Sequence, residues 1–250
     1  MSSASKTIPA NLLRDRSGKK YGARDRNSSR AASLIPPRAS LAKLRQAASG
    51  CKACDLWKTG TQTVFGEGSS SATVMMVGEQ PGDQEDRAGR PFVGPAGQIL
   101  DQALAEAGID RAEVYITNVV KHFKWSATEG GKRRIHKKPR YSEIKACRPW
   151  LDAELDAVKP EVLVCLGASA AQELLGKDFR VTRDRGKLIP SDLAANVIAT
   201  VHPSSILRAQ DHESRRSQLD AFIKDLKQVA RVVRSLRKNT ARADPKRSDP

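Results

Sequence analysis

The sequence predicts a three-layer α/β/α fold, in which a four-stranded parallel sheet lies between two layers of helices. Short apolar runs alternate along the chain with amphipathic stretches of helical length, which is the pattern of a parallel sheet covered on both faces. Hydrophobic residues make up 39% of the 250 residues and aromatic residues only 4%, so the core is expected to be large and mostly aliphatic. No apolar run reaches the roughly 18 residues of a membrane-spanning helix.

The predicted strands are short and continuously apolar, as expected of strands buried on both faces. They are residues 72–77 (ATVMMV), 114–120 (VYITNVV), 161–166 (EVLVCL) and 196–201 (NVIATV). The predicted helices lie between and after them, at residues 95–108, 141–158, 168–175 and 213–237, with a short one near residues 41–48. Pro95 at the start and Gly108 at the end of the first long helix support its bounds, because proline suits the first helical position and glycine the terminus.

The positive charge is concentrated at the two ends of the chain. Residues 1–50 carry 11 Lys and Arg against 2 Asp and Glu, residues 224–250 carry 9 against 3, and the middle is nearly balanced at 24 against 23. We predict a disordered basic arm over residues 1–38, one folded domain over residues 39–237, and a basic tail over residues 238–250. Such ends attract nucleic acid through counterion release, or are merely solvated disorder.

Four cysteines suggest a metal site. Cys51 and Cys54 form a CxxC pair, Cys147 lies in a predicted helix, and Cys165 lies in a predicted strand. The polar N-terminus lacks a signal peptide, so we expect a cytoplasmic protein, where thiols bind metal or stay reduced. Four thiols suit zinc or an iron–sulfur cluster, although Cys165 alone would be taken for an ordinary core residue.

Polar residues follow three of the predicted strands. Glu79 and Asp83 follow the first, Asn118 ends the second, and His202 follows the fourth. Because ligands bind beyond the carboxyl ends of parallel strands, these side chains are expected to converge on one site. Each of these residues alone also has a purely structural explanation, such as stabilisation of a turn by the two carboxylates.

A basic segment after the second strand adds a candidate nucleophile. Residues 121–148 hold ten Lys and Arg and include the run KRRIHKK, in which His136 is the one residue able to act as a neutral base or nucleophile near neutral pH. The surrounding cations are expected to lower its pKa. The segment contacts phosphates or is only a solvated basic loop.

Several motifs in one order resemble the uracil-DNA glycosylase superfamily, nearest its iron–sulfur family 4. They are GEQPG at residues 78–82, GRPFVG at 89–94, TNVV at 117–120 and HPSS at 202–205. The KRRIH run at 132–136 resembles the UdgX branch, whose members become covalently attached to DNA. Gln80, where family 4 usually has alanine, agrees with that branch.

The resemblance implies a uracil-DNA glycosylase in which His136 attacks C1′ and retains the sugar. It further implies that Phe92 stacks on uracil, Asn118 reads its edge, His202 supports the departing base, and Arg208 contacts DNA. Glu79, Gln80 and Asp83 match the motif after the first strand, with Glu79 orienting His136. The implied cofactor is a [4Fe–4S] cluster on Cys51, Cys54, Cys147 and Cys165.

Two alternatives remain open at this stage. One is a multiple-turnover family 4 enzyme that releases uracil and leaves an abasic site. The other is a metal-stabilised nucleic-acid-binding protein without catalysis. The expected partner is uracil-containing DNA, with single strands preferred, and the expected state is a monomer without membrane contact.

Overall fold

The computed structural model describes residues 30–131 and 133–243. Most of the predicted basic arm, residues 244–250 of the predicted tail, and Lys132 lie outside the described residues. Residues 30–38, the end of the predicted arm, include a 3₁₀ helix at Ala32–Leu34, and Ala31 is buried in the core. No helix among the described residues is long and apolar enough to cross a membrane.

The strands lie close to their predicted positions. They are β1 (Val74–Gly78), β2 (Val114–Asn118), β3 (Trp125–Ala127), β4 (Arg134–His136), β5 (Val162–Leu166), β6 (Leu188–Ile189) and β7 (Asn196–Thr200). The helices are α1 (Leu41–Ser49), α2 (Asp83–Ala88), α3 (Pro95–Ala107), α4 (Tyr141–Val158), α5 (Ala168–Leu175), α6 (Val181–Asp184), α7 (Pro203–Leu207) and α8 (His212–Ala243). The α8 helix thus continues past the predicted boundary at residue 237.

The central sheet has the order β2-β1-β5-β7-β6, and its first four strands are parallel. These are the four strands that the sequence predicts, and the α/β fold is confirmed. The sheet has one strand more than predicted, because β6 pairs antiparallel with β7 at the edge. A two-residue strand has too few side chains to produce a recognisable pattern in the sequence.

The core lies on both faces of the sheet, because successive side chains of a strand point to opposite faces. In β1, Met75 and Val77 join the cluster beneath α1, α4 and α5, whereas Val74 and Met76 join the cluster beneath α3 and α8. The sheet is therefore the middle of three layers, as predicted.

The basic segment after β2 is partly a hairpin rather than a loop. Strands β3 and β4 pair antiparallel, with Ser126 opposite Ile135 and Trp125 opposite His136. The hairpin lies at the carboxyl side of β2 and reaches back to the residues after β1, as the contacts of Gln80 below describe.

Candidate active site

A cavity of about 800 Å³ lies at the carboxyl edge of the parallel sheet. The chain leaves β1 for β2 on one side and later returns to β5 on the other, and such a reversal of strand order is where α/β sheets bind ligands. Seven of the predicted site residues line the cavity: Glu79, Gln80, Phe92, Asn118, His136, His202 and Arg208.

Asn118 and Phe92 meet over the last residue of β1. Gly78 pairs with Asn118 in the sheet register, and a Cβ on Gly78 would lie 2.4 Å from Asn118 Oδ1 and 2.7 Å from Phe92 Cζ. A glycine is therefore required for both side chains to approach the strand. Asn118 is buried, and its Oδ1 has no hydrogen-bond partner within the described chain. A buried, unpaired acceptor is costly, so this atom is suited to bind a donor on a ligand.

The backbone around Phe92 is strained and tightly packed. Phe92 has a φ of 54°, in the left-handed region that side chains other than glycine rarely adopt. A Cβ on Gly97, in the first turn of α3, would lie 1.8 Å from the Phe92 carbonyl oxygen. Gly97 thus permits the close approach of helix and loop that holds the Phe92 ring in the cavity wall, 5.7 Å from the His202 ring.

Glu79 lies between Ser169 and His136. The Ser169 hydroxyl donates a short hydrogen bond to Glu79 Oε2, while Glu79 Oε1 is 3.7 Å from His136 Nε2. The second contact is longer than a hydrogen bond, so Glu79 acts on the imidazole through its charge. Burial lowers the pKa of His136, Glu79 raises it and Arg208 lowers it, with a lower pKa as the net result. His136 is therefore neutral at neutral pH.

Gln80 joins the residues after β1 to the base of the hairpin. Its amide nitrogen donates to His136 Nε2 at 2.8 Å and to the Lys137 carbonyl at 2.9 Å, and its oxygen accepts from the Lys124 amide at 3.0 Å. Because Nε2 accepts this bond, the proton of the neutral His136 ring belongs on Nδ1. Gln80 therefore fixes both the position of His136 and its tautomer.

His202 is held in the opposite tautomer. Its Nδ1 accepts from the Ser204 amide at 3.2 Å and lies 2.9 Å from the Ser204 hydroxyl, which leaves the proton on Nε2. Burial, with Arg208 and His136 nearby, lowers the pKa of His202 to about 4. His202 is thus a neutral donor at the cavity wall. Arg208 is exposed and donates to Ser204 Oγ at 3.1 Å.

Asp83 does not line the cavity. It forms ion pairs with Arg87 and Arg134, and Arg134 also pairs with the fully buried Asp86 at 2.6 Å. Burial acts to raise the pKa of Asp83, but the bonds from the two arginines outweigh it and lower the pKa overall. Its contacts make Asp83 an anchor of the hairpin, and its predicted catalytic role stays a prediction.

Three of the four cysteines influence one another. Cys51 and Cys54 both raise the pKa of Cys147, whereas burial raises the pKa of Cys165. The Trp150 indole donates to Cys51 Sγ at 3.2 Å, and the Lys121 amide donates to Cys147 Sγ at 3.3 Å. No group of three or more His, Cys, Asp or Glu within the described ranges is arranged to hold a single metal ion.

The four cysteine thiols are nevertheless the type of ligand that binds an iron–sulfur cluster. Burial raises the pKa of Cys147 and of Cys165 to about 12, so both remain neutral thiols unless a cation binds them. N–H groups that point at cysteine sulfurs are a usual feature around such clusters. A cluster also spreads its thiolates further apart than a single ion does.

Sequence reasoning missed the residues that support the site. Glu85 accepts from the Gly94 amide at 2.7 Å and the Gly82 amide at 3.1 Å, and so joins the two loops that frame the cavity. Its position three residues into α2 was a possible capping signal. Lys121, counted with the basic segment, is instead buried and paired with Glu154 at 2.5 Å. Nothing in the sequence distinguishes it from the exposed lysines nearby.

Comparison with known proteins agrees with this geometry. Residues 65–227 match the model of the uracil DNA glycosylase superfamily. The chain is 40% identical to a type-4 uracil-DNA glycosylase of Thermotoga maritima over 68% of this chain and 84% of that protein. This chain belongs to the uracil-DNA glycosylase superfamily. It is also 35% identical to a type-4 enzyme of Sulfurisphaera tokodaii, over 76% and 85% of the two chains.

A more distant relative is the type-5 uracil-DNA glycosylase of Pyrobaculum aerophilum, 29% identical over 72% of this chain and 79% of that one. Within the superfamily, the higher identities are thus to proteins named type-4, which confirms the coarser part of the resemblance. The UdgX branch and the roles of the individual residues stay predictions.

Proposed function

We propose that this superfamily member removes uracil from DNA by breaking the bond between uracil N1 and C1′ of the sugar. The observation that carries the proposal is the unpaired Oδ1 of buried Asn118 beside the Phe92 ring. That oxygen accepts from uracil N3–H while the amide nitrogen donates to a carbonyl, and the aromatic ring stacks on the base. Cytosine lacks the N3–H donor and is disfavoured.

The reaction separates charge, and the site has groups for both charges. Uracil leaves with the electron pair of the broken bond, and the Nε2–H of His202 donates to a uracil oxygen that becomes negative. The sugar is left with a positive charge at C1′, which the Glu79 carboxylate stabilises. A base in a duplex must first leave the stack to reach the cavity.

Hydrolytic turnover is the main proposal for the fate of the sugar. The type-4 names of the relatives support it more strongly than they support covalent capture. Water adds its oxygen to C1′, Glu79 takes the proton, and an abasic site is released.

Covalent capture is the second candidate, and one observation favours it. His136 lines the cavity as a neutral imidazole held by Gln80, with Nε2 toward Glu79. To react, Nε2 must exchange the Gln80 hydrogen bond for a bond to C1′, and the ring then loses its Nδ1 proton to solvent. The product is a protein–DNA adduct that water does not easily displace.

We further propose that Cys51, Cys54, Cys147 and Cys165 hold a [4Fe–4S] cluster, which would be structural because base excision transfers no electrons. The mutual influence of three thiols and the N–H donors at two sulfurs support this assignment. We also propose that the protein is monomeric and cytoplasmic and that it prefers single-stranded DNA. In this proposal the basic ends of the chain are not part of the catalytic domain.

The deciding experiment mixes purified protein with a labelled single-stranded oligonucleotide that contains one uracil, followed by a denaturing gel. A thymine-containing oligonucleotide is the control. Strand cleavage after alkali without a shifted band is expected from turnover. A heat-resistant band at the summed mass would replace turnover by capture, and an intact oligonucleotide would refute excision altogether.

A further inference from the structure

The charge of α8 changes half-way along the helix. Its first half, residues 212–225, has three acidic and three basic residues, the mixture that is usual on a solvated helix face. Its second half, residues 226–243, has six Lys and Arg and no Asp or Glu. A helix that only has to stay soluble gains nothing from carrying one sign of charge, so the second half is a candidate interaction surface.

Five cations of α8 lie in one row on the surface. They follow one another at intervals of three or four residues, which places them on the same face of the helix. All are exposed, and they are Lys224, Lys227, Arg231, Arg234 and Lys238. We call these five residues the α8 row. The opposite face of the helix is buried in the core beneath α3 and α8, so the row is about 21 Å long and has a rigid base.

No neighbouring acid compensates the α8 row. Asp225 lies within this stretch of helix, but its carboxylate is turned inward and accepts from Thr200 at 2.5 Å and from Arg185 at 2.7 Å. No member of the row forms an ion pair within the described residues. Like charges at this spacing destabilise a helix. The helix dipole favours cations only in the last turn, and Lys227 lies about four turns before the end of α8.

The α8 row is separate from the cavity. The helix begins beside the cavity, where Arg215 donates to the carbonyl of Leu207, the residue before the cavity-lining Arg208. Towards its end, Arg237 pairs with Glu113, which immediately precedes β2 at the amino edge of the sheet. Lys224 lies about 18 Å along the axis from the start of the helix. The row therefore runs away from the edge at which uracil is proposed to bind.

We propose that the α8 row is a second DNA site, which binds the phosphate backbone of a DNA segment outside the cavity without regard to sequence. A row of about 21 Å matches the axial length of about six base pairs, and each phosphate contact releases counterions. A bilayer is a poorer partner, because the apolar face of α8 is buried and cannot enter it. The inference goes beyond the proposed excision of uracil, and such a site keeps the protein on DNA between encounters with uracil.

The first test measures binding to a labelled duplex that contains no uracil, at salt concentrations from about 50 to 200 mM. The row variant combines Lys227→Gln, Arg231→Gln and Arg234→Gln, since glutamine keeps the helix propensity. We expect its affinity to fall about tenfold or more, and the slope of log affinity against log salt to decrease by about two to three, because three phosphate contacts are lost.

The matched control variant removes the same net charge elsewhere. It combines Lys43→Gln, Lys159→Gln and Lys177→Gln, three exposed positions scattered over other parts of the surface. Its affinity should stay within about twofold of wild type, because it removes long-range attraction but no contact. An unchanged slope in the row variant, or equal losses in the two variants, would overturn the second DNA site.

The second test uses the wild-type protein alone and so does not depend on the folding of a variant. Lysine acetylation is followed by mass spectrometry with and without the uracil-free duplex. DNA should protect Lys224, Lys227 and Lys238, whereas Lys43 should react equally in both samples. Equal reactivity of the row with and without DNA would overturn the proposal.

A further measurement separates DNA from an anionic membrane as the partner. If the row variant loses binding to phosphatidylglycerol vesicles but keeps its affinity for DNA, the row is a membrane contact and the proposal is wrong. None of these measurements involves excision, so a failure of the proposed uracil chemistry would be seen separately in the oligonucleotide assay described above.

Discussion

At the scale of single residues, the site depends on polar atoms whose partners are fixed by the fold. His136 and His202 have their protons on different ring nitrogens because Gln80 donates to one ring and Ser204 to the other. Each tautomer suits a different task, since the Nδ1–H form leaves Nε2 as a lone pair and the Nε2–H form offers a donor. The hydrogen bond that one nitrogen of each ring accepts thus determines what each imidazole can do.

The first prediction concerns Asn118. Asn118→Ala removes both the acceptor and the donor for the uracil edge, so excision should fall on the order of a hundredfold or more, as for other preorganised polar contacts. Affinity for DNA without uracil should change little, because phosphate contacts supply most of it. Single-turnover excision and a binding titration measure the two effects. Asn196→Ala, at the opposite end of the sheet, is the control. Unchanged uracil release would remove Asn118 from the site.

The second prediction concerns the protonation of His202. Its pKa of about 4 lies below the ordinary value of 6.5, so the ring should stay neutral, with its proton on Nε2, as the pH falls from 8 to about 5. Histidine nitrogen shifts in NMR spectra report both properties, and His202→Gln assigns the signal. A midpoint near 6.5, or a proton on Nδ1, would contradict the assignment of His202 as a neutral donor.

At the scale of elements, two connections shape the cavity. The loop from α2 to α3 positions Phe92, and the hairpin positions His136. Both are tied to the body by side chains rather than by the central sheet: Glu85 holds the Gly82 and Gly94 amides, and Arg134 holds the hairpin. Local tertiary contacts therefore decide whether the site is assembled.

The third prediction tests the approach of α3 to the Phe92 loop. Gly97→Ala places a methyl group 1.8 Å from the original position of the Phe92 oxygen, so the loop must move. We expect a loss of about 1–3 kcal/mol in unfolding free energy, typical of overpacking, together with reduced excision. Gly50→Ala is the matched control, because a Cβ there meets nothing within 4 Å. Gly97→Ala should differ from Gly50→Ala both in chemical denaturation and in excision rate. Equal stability and equal rates of the two variants would be inconsistent with this contact.

The fourth prediction tests the anchoring of the hairpin. Arg134→Met keeps much of the apolar stem but leaves the buried Asp86 without its cation, so residues 125–136 should lose protection from hydrogen exchange. Arg183→Met, at an exposed pair with Asp184, should leave exchange unchanged. If protection of the hairpin persists in Arg134→Met, Gln80 alone would suffice to hold it.

At the scale of the whole molecule, the cysteines join the start of the chain to its centre. Cys51 and Cys54 lie between α1 and the sheet, while Cys147 and Cys165 belong to α4 and β5. A cluster on all four would cross-link three parts of the fold. Binding energy at such a site is also folding energy, because the unfolded chain does not present it.

The fifth prediction tests whether the cysteines are ligands of an iron–sulfur cluster or ordinary core residues. Purified protein should contain iron and show a broad visible absorbance, and removal of iron should lower the melting temperature. Cys147→Ser should lose the iron. Cys165→Ala decides the role of the fourth thiol. Loss of iron from this variant identifies Cys165 as a ligand, whereas retained iron with a small loss of stability identifies it as an ordinary core residue. If the purified protein contains zinc in place of iron, the proposed cofactor is wrong.

Much of the fold was predictable, because buried strands and amphipathic helices have strong periodic patterns over five or more residues. The antiparallel β6 and the hairpin were not, since each strand there has three residues or fewer. Seven predicted site residues line the cavity, because the carboxyl ends of parallel strands share one edge. Asp83 does not, since Arg87 and Arg134 bind its carboxylate, and the pairing with Arg134 joins residues too far apart along the chain to be predicted from sequence.

The sequence by itself therefore determined the layers, the order of the parallel strands along the chain, and the edge at which chemistry is possible. Only the tertiary structure decided which charged residues are exposed and which are paired inside the protein. Lys121 and Arg134 come from the same basic segment as Lys137 and Lys138, yet the first two are paired with buried carboxylates and the others are exposed. The reason is physical: a charge acquires its role from its neighbours in space, and local sequence does not encode partners tens of residues away.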